Sequence, residues 1–255
     1  MSMRSIKDIG SAIARAVNLR TKPLCVYGSD RAPEGGVRAF SVSDCIASTM
    51  YQMATGVVAG PIYARYEKDQ PFCRCIGGPA WFGYKDFDPL LPGIISARSD
   101  DATGSAPKYL KRNETVAGES YTAVGMIEPI GRYVVIESCE EIIGDPGVRS
   151  IVCFATGEQI RDLCALAHFR SNEVFGMITV PWGPTCATLV TYPAGLSKKA
   201  PQNRIFLGPT DPSAGGWLPE GCMAVGIPVE LAGFMAEDVK SSFLSKGGLL
   251  RPPRS

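Results

Sequence analysis

Two of the nine cysteines in this 255-residue chain stand at Cys73 and Cys75, separated by Arg74 and followed at once by Ile76, Gly77 and Gly78. In an extended segment residues i and i+2 point to the same face, so this spacing predicts two sulfurs presented to one centre. Glycines beside them let backbone approach that centre closely. An odd, unevenly spaced set of thiols in a chain without a secretion pattern reads as metal ligands, reactive thiols or small buried apolar residues, and not as a disulfide framework.

Other chemistries lose support from the motifs. There is no Gly-x-Gly-x-x-Gly between strand and helix, no Gly-Lys-Ser/Thr phosphate loop, no Gly-x-Ser-x-Gly elbow and no His-Glu-x-x-His. Thiol catalysis usually recruits a histidine base, and the single histidine, His168, lies in an apolar-patterned helical stretch where a satisfied, partly buried ring is expected. The formal charge of +1, from 26 basic and 25 acidic residues, gives no footprint for nucleic acid or an anionic membrane. The opening Met1 to Asp8 lacks an apolar signal core, and no stretch approaches the roughly 18 apolar residues of a membrane span, so the expected location is the cytoplasm. A chain of this length buries roughly three quarters of its unfolded surface, so neither metal nor disulfide is needed merely to fold it.

The elements that must position the thiols follow from periodicity. Ile6, Ile9, Ile13 and Val17 form one stripe of an N-terminal docking helix within residues 1–20. Leu24 to Tyr27 reads as a buried strand. Ser41 to Asp44 supplies N-cap chemistry for a helix over 45–54 that ends at Gly56, which puts Cys45 in its first turn. Val57 to Tyr66 reads as extended, 80–83 as a short helix, 89–119 as irregular with a surface loop at 99–105, and 108–113 as a polar helical patch. Strands are expected near 133–136, 151–154, 205–207 and 223–227, and helices over 158–169, 187–192 and 229–243. Cys186 then sits at a helix start, where a thiol pKa falls, which makes it the best nucleophile candidate. The strand-helix rhythm predicts an α+β (mixed α/β) fold: one loop-rich domain over 21–250 with a mixed sheet and flanking helices, or two packed halves near 21–130 and 131–250, ending in a tail at 251–255.

Three segments give the chain a family resemblance. They are Asp44-Cys45-Ile46-Ala47; Cys75-Ile76-Gly77-Gly78-Pro79-Ala80-Trp81-Phe82-Gly83; and an ordered block of Pro181 to Ala187, Tyr192-Pro193, Phe206 to Ser213 and Val225 to Pro228. From Ser43 to about Leu250 the order of these features resembles the bacterial and archaeal domain-of-unknown-function family number 169, the cysteine-containing ArCR proteins. The resemblance implies a domain type and candidate cysteines at Cys45, Cys75 and Cys186, with no settled activity and no substrate. Cys73 stands outside the family pattern.

Four thiolates are the usual holder of a [4Fe–4S] cluster, and Cys45, Cys73, Cys75 and Cys186 supply four, with Cys222 in reserve. Gly77 and Gly78 are the cofactor-binding backbone positions, and helix starts near Cys45 and Cys186 add positive dipole ends. Structural zinc and a metal-free site remain open beside the cluster. Cys25, Cys139, Cys153 and Cys164 read as core. Asp211, Arg204 and the loop 213–216 read as a solvated loop or a small-ligand pocket, and Trp81, Phe82, Trp182 and Trp217 as its aromatic wall or simply as core. The leading expectation is an iron–sulfur protein of anaerobic or redox metabolism that transfers electrons to a redox partner protein or binds a small molecule at its cluster. The alternative is a metal-free cofactor-binding domain or enzyme subunit, and homo-oligomer formation is left open.

Overall fold

A computed structural model describes residues 5–43, 45–68, 70–75, 77–96 and 108–246. The expected loop at 99–105 and the tail at 251–255 lie outside them, as do Asp44 and Ile76. The chain forms a mixed α/β domain on one sheet of eight strands: β1 Leu24–Ser29, β2 Val37–Arg38, β3 Ile62–Ala64, β4 Tyr133–Ser138, β5 Ser150–Thr156, β6 Ile178–Thr179, β7 Ile205–Gly208 and β8 Cys222–Pro228. Their order is β2-β3-β4-β1-β5-β8-β7-β6, antiparallel at the centre and parallel only in the two edge pairs, β2 with β3 and β6 with β7. β4 pairs with both β1 and β3, and β1 joins β5 at the middle of the sheet.

Strand side chains alternate between two apolar layers. Leu24, Val26, Val134, Ile136, Val152 and Phe154 face one core; Cys25, Tyr27, Val135, Ile151, Cys153 and Val225 face the other. The second core is closed by α1 Ile6–Ala16, α7 Gly157–His168 and α8 Val229–Asp238. Ser5 caps α1 by accepting from the Asp8 amide, and Ile6, Ile9 and Ile13 are buried, so the N-terminal stripe docks as its spacing predicts. Thr156 and Gln159 close a reciprocal capping box on α7. No described helix is long and apolar enough to cross a membrane.

The first core is covered by α3 Ile46–Ala54, α4 Gly78–Trp81, α5 Leu91–Ser96, α6 Glu114–Val124 and a π-helical turn at Ala187–Thr191. A four-residue α2, Ala39–Val42, precedes α3. Here the sequence reading departs most from the fold. The stretch expected to be irregular contains α5 and α6, while 108–113 is not helical and Asn113 is instead the N-cap of α6, its Oδ1 accepting from the Val116 amide at 2.9 Å. The extended stretch 57–66 contracts to β3 because Gly56 and Gly60 turn the chain at φ 81° and 71°. α8 stops at Asp238, whose carbonyl accepts from the Ser241 and Ser242 amides in a closing turn.

Gly226, in the middle of β8, is where the π-helical turn lies directly on the sheet. A Cβ there would stand 2.7 Å from Pro193 Cγ and 2.9 Å from the Leu189 carbonyl oxygen. Gly226→Ala is therefore expected to lower stability by ~1–3 kcal/mol through overpacking. Urea unfolding should show a reduced midpoint with an unchanged slope. Gly157→Ala, with nothing within 4 Å of the added methyl, should not show it.

Candidate functional site

The four expected ligand cysteines arrive on three pieces of chain. Cys45 is the N-cap of α3 and is half-buried; Cys186 is half-buried at the N-cap of the π-helical turn. Cys73 is half-buried and Cys75 exposed. Between them the backbone is bent and not extended, because the Cys75 carbonyl accepts from both the Gly78 amide (2.9 Å) and the Cys73 thiol (3.4 Å), closing the segment into a turn ahead of α4. Gly78 fits this turn for a steric reason: a Cβ there would lie 2.0 Å from Cys73 Sγ. Gly77 carries the first helical bond of α4, its carbonyl accepting from the Trp81 amide at 3.1 Å.

Two long-range hydrogen bonds hold these pieces together. Thr191 Oγ1, fully buried, donates to the Trp81 carbonyl at 2.6 Å and ties the Cys186 turn to the helix that follows Cys75. Thr210 Oγ1 donates to the Pro181 carbonyl at 2.6 Å and ties Asp211 to the Trp182 segment. The thiols consequently sense one another. Cys186 is pushed well above the ordinary thiol range, first by burial and then by the charges of Cys73, Cys75 and Cys45. Burial, then Cys75 and Cys45, push Cys73 up to about 12. Cys45 is raised by burial while the Ser48 and Ala47 amides at the start of α3 pull the other way, and Cys75 and Asp211 add to the rise.

Cys186 as an acidified nucleophile is thereby corrected. Burial and three neighbouring thiols outweigh the Ala187 amide that favours its thiolate. His168 lies at the end of α7, across the sheet from these thiols, so it is not placed to act on them as a base; its ring Nδ1 is 3.0 Å from the Glu173 carbonyl oxygen. Cys222 shares the sheet face of the four thiols but lies beside Tyr51, whose hydroxyl pKa it helps burial to raise. Cys25, Cys139 and Cys153 are fully buried core, and Cys164 is half-buried against the α7 side.

Beside Cys75 is a small, partly open cavity of ≈ 30 Å³, lined also by Gly77, Trp81, Lys108, Tyr121, Trp182 and Asp211. It has room for about one water. Trp81 and Trp182 are the aromatic wall, Phe82 is fully buried behind it, and Trp217 stands apart against Tyr51 and Phe154. Arg204 is elsewhere, bonded to the Gly176 carbonyl. The sequence reading missed Lys108 and Tyr121; the Asn113-Glu114 pair, a cap followed by an acidic first turn, was the available signal for the helix that carries Tyr121. Among the described residues, no three His, Cys, Asp or Glu side chains are gathered closely enough to hold a single metal ion.

The sequence model of the domain-of-unknown-function family 169, described as uncharacterised ArCR, matches residues 12–238. The chain belongs to this family. No curated protein and no solved structure matches the chain. The ArCR match spans the sheet and all four candidate cysteines, so the site is part of the family domain and not an appendage.

The raised thiols of this ArCR chain dictate a pH response. A folded-state pKa above the unfolded value means the native chain holds its proton more tightly, so the contribution is fully present below about pH 8.5 and is lost as pH rises toward the folded value near 12. Metal-free protein should therefore lose stability progressively above about pH 9. Cys73→Ala should reduce the alkaline slope by up to one proton, measured by urea unfolding at a series of pH values; an unaltered slope would show that Cys73 is not held protonated by its surroundings.

Proposed function

We propose that this ArCR chain holds a [4Fe–4S] cluster on Cys45, Cys73, Cys75 and Cys186. The carrying observation is the placement of these cysteines at the N-caps of α3 and the π-helical turn and on the turn ahead of α4, elements that cover the same core and are tied by the Thr191 to Trp81 hydrogen bond. The donor set suits such a cluster in kind and number. One tetrahedral zinc, with Zn–S near 2.3 Å, would need its sulfurs about 3.8 Å apart. A polynuclear centre takes its thiolates from more widely spaced positions than that.

The chain's own groups offset part of the thiolate charge. The Ser48, Ala47 and Ala187 amides favour the thiolate forms, and the Lys108 side chain lines the same cavity against the opposing carboxylate of Asp211. Gly78 keeps the backbone against Cys73 Sγ. The cavity has room for about one water, and Cys75 is the exposed thiol of the four. When bound, the cluster supplies one-electron transfer or an iron site for a small ligand. The exposed Cys75 is then the side from which a redox partner protein or small molecule approaches.

Anaerobic reconstitution with iron and sulfide should give a brown protein with about four irons per chain. Cys75→Ala and Cys186→Ala should lose most of the iron and the visible absorbance, while Cys164→Ala and Cys222→Ala keep both. A colourless, metal-free, folded product would end this reading, and one zinc per chain with no sulfide would replace the cluster with a single-ion site.

A further inference from the structure

A second, larger concavity opens on the far side of Trp182. Its volume is ≈ 290 Å³, close to the lower end of small-molecule sites at about 300 Å³. Trp182, Tyr192 and Phe206 give it an aromatic floor, with the last two stacked obliquely at 5.8 Å between centroids. Lys111 and Lys199 enter from its sides, and among the described residues no carboxylate lines it.

Both lysines are held by the fold. Lys111 Nζ lies 3.9 Å from the centroid of the Trp182 ring, a cation–π contact that leaves its N–H donors free for a ligand. Lys199 Nζ donates to the Thr122 carbonyl at 3.2 Å, at the C-terminal end of α6. Its stem lies across Gly125, where φ is 70° and a Cβ would come within 2.9 Å of Lys199 Cδ. A side chain at position 125 would displace the lysine. Neither lysine has an ion-pair partner among the described residues, in contrast to the adjacent Lys198, which pairs with Glu128 at 2.7 Å. Two positive charges without a carboxylate, facing an aromatic floor, are complementary to an anionic group on a flat apolar body.

We propose that this concavity is a binding site for a small organic anion, an aromatic or similarly planar carboxylate or phosphate, clamped between Lys111 and Lys199 on the Trp182 floor. It does not depend on a cluster. Its occupant would be separated from the cysteine cavity by one indole ring, because Trp182 lines both spaces.

Titration of the full chain, with and without reconstituted iron, with benzoate and with neutral benzamide, followed by tryptophan fluorescence, tests the site. Benzoate should give a saturable change that weakens with salt, and benzamide should bind at least tenfold more weakly. Lys111→Gln and Lys199→Gln should each weaken benzoate by roughly tenfold, the loss of one charge-assisted contact, with circular dichroism unchanged. Trp182→Phe should remove most of the fluorescence response. Absence of saturation, equal affinity for the neutral amide, or unaltered affinity in the double lysine variant would overturn the proposal. Binding in the iron-free protein is the expected outcome, which keeps this test separate from that of the cluster.

Discussion

Four neighbouring thiols, three of them half-buried, cannot all ionise cheaply unless something positive joins them. That constraint organises the site. Each thiolate that forms raises the cost of the next, and burial adds to that cost at Cys45, Cys73 and Cys186, which is why Cys73 and Cys186 lie so far above the ordinary thiol range. The counter-charges on the protein are modest: amide dipoles at two helical starts and one lysine, set against a carboxylate. The proposed metal centre would resolve the mismatch that the bare chain carries, because coordination deprotonates thiols outright.

The sheet makes this arrangement available. Strict alternation along the central strands separates Cys25 and Cys153 into the helix-closed layer behind the sheet and leaves the opposite layer to the four candidate thiols. That second layer is assembled from short pieces, α3, α4, α5, α6 and the π-helical turn, none of which would hold its position alone. Their alignment depends on buried side-chain to backbone bonds such as Thr191 to Trp81, and on small residues such as Gly226 that let backbone rest on the sheet. Residues more than a hundred positions apart thereby reach a common wall.

Much of this was legible in the sequence where local pattern and tertiary role agree. The apolar runs at β4, β5 and β8 read as strands, the stripe from Ile6 to Val17 read as a docking helix, and cysteines within strand-like runs read as core. α5 was not legible, because Pro92 and Gly93 interrupt it and burial of Leu91, Ile94, Ile95 and Ser96 gives it no polar face. α6 buries only Ala117 and Tyr121 and so shows little periodicity. The wall contributed by Leu91, Lys108 and Tyr121 was hidden for that reason. The Cys-x-Cys spacing was legible as a motif but misleading as geometry: a period-2 argument presumes extension, and the Cys75 carbonyl instead caps a turn.

Trp182 connects the two concave features. Its ring lies 6.4 Å from Tyr121 on the cysteine side, carries Lys111 on the groove side and lines both spaces. Tyr192 has the same dual character: it floors the groove, and its hydroxyl pKa is raised by burial and then by the charge of Cys186. A change of charge at the cysteines is therefore felt at the groove floor through one layer of aromatic side chains. By linkage, an anion bound between the two lysines must in turn alter the energy of placing charge on the thiols, and the two effects must be equal in size. A negative ligand would disfavour added negative charge at the cysteines, so reduction of a centre held there and anion binding in the groove would oppose each other.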